Sequence, residues 1–578
     1  ESDEIAPDPD DPDTFYGGRV DRLDLKSCQT RNIDQTLDYP GEYRGEWTLP
    51  LAFGKRDHAL YFGNQRLFRT RDGGKNWTMI SPDLTRTEPG VPATLDPPTV
   101  ADSASKGPRR GVIYDIGSSP IRDGLIWIGT DDGLIWRTDD DGAHWTNVTP
   151  QALQPWSKVG IVEPSHVDPN VAYAAIDRHR LDDQQPYIMR TGDGGRSWRM
   201  ITSGLPKGAG PNSVNVVRED PVRPGLLFAG TERSLYVSFD DGENWQPLNR
   251  DLPATSVRDI AVHGDDLVIA THGRGFYILD DIVPLRALAG NAAAAIHLYP
   301  MAAAVRVNEP AFTGTPMPRD EPLAPNPPAG AIIDYALPLT ATGPVEIAIY
   351  DLGGALVNRF RSTDPVKPID LSKLEIAPEW VVSPGPPLAT PGHHRFVWDL
   401  HFAKPAGVKD EDRPAGVWAP PGSYTVELSV DGQKLRQPLT VLADPRVHVP
   451  QSDFDAEFQL ARQIEQERVR VRRMLEQAAD LKAGLAKLKG QADKDPLAAE
   501  LNQLVGEEPP IGGSNAPTTL TSISLWLDKL AQAVDGADGA PTPDDVRGFA
   551  TISAALNQIE SRWRALETAA GAKVPAGR

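Results

Sequence analysis

Thr70-Arg71-Asp72-Gly73-Gly74-Lys75-Asn76-Trp77 decides the fold, because its pattern, Ser/Thr-x-Asp-x-Gly-x-x-Trp, returns three more times. The later copies are TDDDGAHW (Thr138 to Trp145), TGDGGRSW (Thr191 to Trp198) and SFDDGENW (Ser238 to Trp245). Each describes a strand-turn-strand: the Asp accepts hydrogen bonds from backbone N–H groups, the Gly takes a positive φ, and the Trp buries its ring under the turn. Asp72, Asp140, Asp193 and Asp240, with Trp77, Trp145, Trp198 and Trp245, are therefore structural residues. The intervals between the aspartates are 68, 53 and 47 residues. That spacing brackets a four-stranded propeller blade with loops of varying length.

An apolar run precedes each box: Leu60-Tyr61-Phe62-Gly63, Leu125 to Gly129, Val171 to Ala175 and Leu226 to Gly230. Two further units, Pro7 to Gly18 and Asp265 to Tyr277, carry such a feature without a box, which makes six blade-like units in 1–283. The boxes resemble the Asp-boxes of bacterial neuraminidase repeats. Combined with His272-Gly273-Arg274-Gly275-Phe276-Tyr277-Ile278-Leu279-Asp280-Asp281, they resemble the large bacterial sortilin-like proteins often labelled glycosyl-hydrolase-like. The resemblance implies a mainly β chain with a β-propeller and export to a secreted or periplasmic location. It does not imply a reaction, since Asp-boxes recur in sialidases, xyloglucanases, receptors and assembly factors. The chain opens partway into a blade, so the expectation is the C-terminal part of a larger ring completed by an upstream part of the same polypeptide, with a six-bladed ring as the alternative.

Downstream, 284–331 reads as a Pro-rich linker or strap. Alternation resumes in 332–447, where Ile349-Tyr350-Asp351-Leu352-Gly353-Gly354, His394 to Leu400 and Pro420 to Leu428 resemble a hook-capping-type immunoglobulin-like β-sandwich, with a hairpin at Asp431-Gly432. From 452 to 570, Phe454, Phe458, Ala461, Ile464, Val471 and Leu475 keep helical spacing. Further helices are expected near Leu520 to Val534 and from a Thr542-Pro543 start, giving an antiparallel helical bundle with its own core.

A net charge of −21 and no basic stripe argue against nucleic acid. Cys28 is the one cysteine, so an intrachain disulfide or thiolate metal cluster cannot form. No stretch approaches a membrane span. The histidines show no ligand spacing, so neither metal nor cofactor is expected.

Innermost strands of a propeller converge on its axis, and that convergence places Arg44, Trp47, Arg110, Trp156, Lys158, Asn212 and Arg258 around a cleft for a polysaccharide, peptide or protein ligand. The loop Asp177 to Pro186 (DRHRLDDQQP) joins two strands of one blade and is a second place where binding residues can gather. A sialidase would need three arginines and a Tyr nucleophile; Arg44, Arg110 and Arg258 could converge, but the Arg-Ile-Pro signature is absent. A xyloglucanase-like hydrolase would need two carboxylates across the cleft, for which Glu46, Asp115 and Asp259 are the candidates. A non-catalytic assembly scaffold is the third alternative.

Overall fold

The computed structural model describes the chain apart from residues 1–3, 19, 36–38, 40, 46–47, 93–109, 289–294, 309–326, 367–384, 406–415, 488–495, 508–515 and 572–578. It divides into two units, Glu1–Ile282 and Val283–Arg578.

Six antiparallel meanders fill the first unit. Sheet 1 holds Ala6–Pro7, Thr14–Gly17, Asp21–Asp24 and Gln29–Asn32; sheet 2 holds Leu51–Phe53, Leu60–Gly63, Leu67–Thr70 and Thr78–Met79. Sheet 3 holds Ile113–Ser118, Ile126–Thr130, Ile135–Thr138 and Thr146–Asn147; sheet 4 holds Lys158–Pro164, Ala172–Arg178, Asp183–Thr191 and Arg199–Met200. Sheet 5 holds Val214–Glu219, Leu227–Thr231, Leu235–Ser238 and Gln246–Pro247, and sheet 6 the three strands Ser256–His263, Asp266–His272 and Phe276–Leu279. Successive sheets pack face to face, so the apolar core is a series of slabs. One slab joins Tyr16 and Leu60, the next Tyr61 and Ile126, the next Trp127 and Ala174, and the next Tyr173 and Leu227. Up-and-down sheets stacked in sequence with their first strands inward define a β-propeller fold.

The boxes lie between the third and fourth strands of sheets 2 to 5. In each, the Ser or Thr hydroxyl bonds the Asp and the N–H four residues on, while the Asp Oδ1 accepts the N–H just before the Trp. The Trp then reaches into the preceding sheet. Trp77, Trp145, Trp198 and Trp245 donate Nε1–H to the carbonyls of Ile33, Ile80, Val148 and Ile201 at 2.8 to 2.9 Å. The Gly three residues before each Trp lies against that same aliphatic residue, too close for a Cβ. Each box is thus a staple between consecutive sheets. Trp245→Phe is expected to cost about 1–3 kcal/mol by stranding the Ile201 carbonyl while keeping most of the buried ring, a loss readable by thermal unfolding.

In the second unit, two sheets share one core. One contains His297–Leu298, Ala331–Leu337 and Gly392–Trp398; the other runs Ala304–Arg306, Gln433–Ala443, Gly422–Val430, Glu346–Asp351, Leu356–Arg361. The segment expected as a linker therefore also supplies strands at 297–298 and 304–306, because Leu298 and Ala304 alternate into that core; its Pro-rich stretch 309–326 lies outside the described residues. The hairpin forms as a two-residue loop with Asp431 at φ 50° and Gly432 at φ 77°, the signature of a type I′ turn. Helices Gln451–Lys487, Leu520–Val534 and Pro543–Gly571 follow the apolar periodicity, and Pro496–Val505 adds a fourth. Thr519 and Thr542 cap the helices they precede, and all four helices close on one apolar core. Among the described residues no helix is long and apolar enough to cross a membrane.

Candidate functional site on the inner strands

Four inner strands carry the same irregularity. Tyr114, Gly160, Asn215 and Arg258 are each an extra residue opposite the second strand, a bulge at the second or third residue of the first strand in sheets 3, 4, 5 and 6. A bulge turns the residues that follow it, and it recurs beside binding and catalytic sites. The residue immediately after is Asp115 in sheet 3 and Asp259 in sheet 6; two residues further are Glu163 in sheet 4 and Arg218 in sheet 5. A common phase brings these charged side chains together.

Arg218 is the hub. Its Nη1 is 2.9 Å from Glu163 Oε2, its Nη2 is 2.9 Å from Asp259 Oδ1, and its Nε donates to the Ile260 carbonyl at 3.1 Å. It therefore ties sheets 4, 5 and 6. Asp115 accepts the Val162 N–H at 2.7 Å, linking sheets 3 and 4, and Glu4 accepts the Leu51 N–H at 2.9 Å. Glu4 lies in the field of Asp115, Asp259 and Arg218, which places it at the same interior. His166 approaches Glu163 at 3.4 Å.

Four carboxylates against one guanidinium leave the cluster short of positive charge. Burial pushes Asp115 up to about 7, opposed by Arg218 and by the Val162 N–H. Burial likewise raises Glu4 to about 7, against the Leu51 N–H. Glu163 goes the other way: burial opposes ionisation, but Arg218 and His166 outweigh it and hold the group below its usual range. Two acids are thus poised near neutrality beside Glu163, which is kept ionised. Access is graded, with the Asp259 side chain 55% exposed and that of Glu163 12%.

The strand entrances form a second polar layer. Lys158 sits 3.2 Å from Asp177 and 4.7 Å from the centre of the Tyr114 ring. The loop residue His179 bonds Asp177 at 2.5 Å, and Arg180 bonds Asp131 at 2.8 Å. Arg258 pairs with Glu232 at 3.1 Å.

Of the residues expected around the cleft, Asp115 and Asp259 enter the inner cluster, and Lys158 and Arg258 lie at its entrance. Arg110 is exposed, without a part in either layer. Arg44 differs from expectation: its guanidinium is consumed by Asp83, Thr85 and the Gly111 carbonyl, so it braces a loop. Trp156 is 2% exposed and donates to the Gly90 carbonyl, which makes it packing rather than an open stacking surface. Asn212 is also buried and closes a loop through the Gly208 and Gln184 carbonyls. Glu46 and Trp47 lie outside the described residues. Glu4, Glu163 and Arg218 were not expected here; for Glu163 and Arg218 the signal was the repeated bulge, which shifts the phase of the inward face, and Glu4 comes from the segment before sheet 1. No group of His, Cys, Asp and Glu among the described residues could hold a metal ion.

No family model matches the chain, and no curated protein does. Among solved structures, YCF48 bound to a D1 peptide is 16% identical over 48% of this chain and 77% of its own, with a TM-score of 0.30. A GH74 xyloglucanase from Xanthomonas campestris is 16% identical over 77% of this chain and 88% of its own, at 0.34. An ancestral GH74 enzyme is 14% identical over 54% and 37%, at 0.29.

Proposed function

We propose that this is an exported binding protein, of the sortilin-like kind its boxes resemble, whose propeller interior takes a positively charged segment of a peptide or protein. The observation that carries this is the imbalance at the inner strands, where Asp115, Glu163 and Asp259, with Glu4 from the segment before sheet 1, surround the single Arg218. A Lys or Arg side chain entering there would find carboxylates whose ionisation it favours, and the widening exposure toward Asp259 supplies the approach. In this reading the downstream unit, as an immunoglobulin-like sandwich with a helical bundle, spaces or docks the propeller. The three-stranded sheet 6 leaves Phe276 78% and Ile278 57% exposed, which supports an upstream part of the same polypeptide covering that face as further blades.

The glycoside hydrolase is the second reading, favoured by one observation. Asp115 is pushed up to about 7 by burial while Asp259 is half exposed and paired with Arg218, two carboxylates in the unlike surroundings that such enzymes use.

The two readings separate in one experiment. A fluorescent Lys/Arg-rich peptide, an uncharged peptide of equal length and xyloglucan are each presented to the protein, measuring retention and new reducing ends. Retention of the basic peptide alone, weakened about tenfold or more by Asp259→Asn and by raised salt, is the expected result. Release of reducing ends that Asp115→Asn abolishes would overturn the binding reading in favour of hydrolysis.

A further inference from the structure

The four sheet junctions stapled by boxes repeat one more device, and one of them leaves it incomplete. On the preceding sheet, an aromatic residue of the second strand stands opposite an Arg of the third: Tyr16 with Arg22, Tyr61 with Arg69, Trp127 with Arg137, Tyr173 with Arg190. Each pair meets the position just after the box Asp, which is Gly73, Asp141, Gly194 or Asp241. All four take the same positive φ, from 61° to 77°.

Where that position is Asp, it completes the contact. Asp241 accepts the Tyr173 hydroxyl at 2.5 Å and pairs with Arg190 at 2.7 Å. Asp141 pairs with Arg69 and sits 3.5 Å from Arg71. Where the position is Gly194, Arg137 fills the space itself, 2.0 Å from where a Cβ would stand, and is neutralised by Asp139 at 2.6 Å. At Gly73 neither solution is used. Arg22 bonds Thr14 at 3.2 Å and has no ion pair among the described residues. A Cβ on Gly73 would stand 3.0 Å from the Tyr16 hydroxyl and 4.0 Å from Arg22 Nε, so the turn itself brings no carboxylate to this pair; the Tyr16 hydroxyl reaches Asp8 Oδ2 only at 3.5 Å. That place opens into a cavity of about 400 Å³, lined also by Arg31, Lys75, Asp8 and Asp34.

We propose that this cavity is a binding site for a small organic monocarboxylate. The ligand's carboxylate takes the position that Asp241 holds at the equivalent junction, receiving the Arg22 guanidinium and drawing the Tyr16 hydroxyl from its long contact with Asp8. A charged N–H and a hydroxyl converging on one carboxylate are the same donors that hold Asp241. The volume fits a molecule of monosaccharide or dipeptide size. Asp8, Asp34 and Asp72 on the wall balance Arg22, Arg31 and Lys75, and so disfavour polyanions. The site is distinct from the inner-strand cluster and does not rest on the function proposed for it.

The test is calorimetric titration of the whole chain with galacturonate, with N-acetylglycine and with glucose, repeated on Gly73→Asp and Arg22→Gln. Gly73→Asp installs the residue that the same turn carries at two other junctions, at the same φ, so the fold is kept while the site is filled from within. Saturable binding of a carboxylate but not of glucose is expected, falling about tenfold or more in both variants. Galacturonate alone binding assigns a sugar acid; N-acetylglycine alone assigns a peptide-like carboxylate. Absence of saturable binding to either carboxylate, or binding that both variants leave unchanged, overturns the proposal.

Discussion

Arg306→Leu is expected to destabilise the second unit by about 3–5 kcal/mol, the cost of leaving buried charge uncompensated. Arg306 ends a short strand of the larger sheet and is 1% exposed. Its Nη2 is 2.5 Å from Glu457 Oε1, on the first long helix, and 2.9 Å from Asp538 Oδ1, in the turn before the last helix. Trp418 and Phe454 hold the guanidinium, each with a ring centre 5.3 Å away. The arginine thus joins the sheets to the helices at a site where all three charges are almost fully buried. Leucine would fill much of the volume but strand two carboxylates. Because the trio carries two acids and one base, the substitutions are not symmetrical. Glu457→Gln keeps a one-to-one pair of Arg306 with Asp538 and should cost much less than Arg306→Leu. Asp538→Asn should be close to neutral, since among the described residues neither carboxylate oxygen of Asp538 receives a well-directed hydrogen bond, Arg306 meeting it as an ion pair only. Urea unfolding followed through the helical circular dichroism signal reads this unit, since the long helices belong to it. Equal losses in Arg306→Leu and Glu457→Gln would refute the account.

How far residues disclose such arrangements depends on the distance over which they act. The boxes were legible because everything that makes them fold lies within eight positions: the Ser or Thr, the Asp, the positive-φ Gly and the Trp. What the Trp does was not, for its carbonyl acceptor lies in the preceding repeat, 44 to 65 residues upstream. Asp115 and Asp259 were reached because they stand immediately after the bulge, within the first four residues of their strands. Glu163 and Arg218 were not, because the bulge hands the inward position to a residue further along, and a bulge is a fact of pairing between strands. Arg44 and Trp156 show the converse error. Both have the composition of a binding residue, yet neighbouring loops spend the guanidinium and bury the indole. The Arg306 trio draws on positions 306, 457 and 538, and no local pattern marks it. The segment 284–331 reads as a strap because short edge strands carry too few residues to show alternation.

The inner-strand cluster is expected to make the first unit lose stability as pH rises from about 5 to 8, opposite to the usual gain of a protein whose acids are salt-bridged. Asp115 and Glu4 are both held at about 7 in the folded chain, well above the ordinary carboxylate range. The folded state therefore holds protons that the unfolded chain has already released, and stability falls with pH until the folded groups have titrated. Acids held low, such as Glu163 and Asp177, contribute stability that is fully present above the carboxylate range and lost only in more acidic solution, so they do not enter this window. At ~1.4 kcal/mol for each tenfold change in an ionisation constant, and discounting for solvent at the open side of the cluster, the pair is expected to cost on the order of 2–4 kcal/mol between pH 5 and 8. Calorimetric unfolding of the first unit at the two pH values measures it. Asp115→Asn should remove about half of the difference while retaining an acceptor for the Val162 N–H. An unchanged slope in that variant would mean that Asp115 is ionised throughout. The same linkage predicts the sign of ligand binding. A cation entering beside Asp115 and Glu4 lowers both pKa values, releases protons, and binds more tightly at pH 8 than at pH 6. A hydrolase that needs Asp115 protonated would instead lose activity over that interval. The direction of the pH response therefore decides between a propeller interior that accepts charge from a partner and one that donates a proton to a bond.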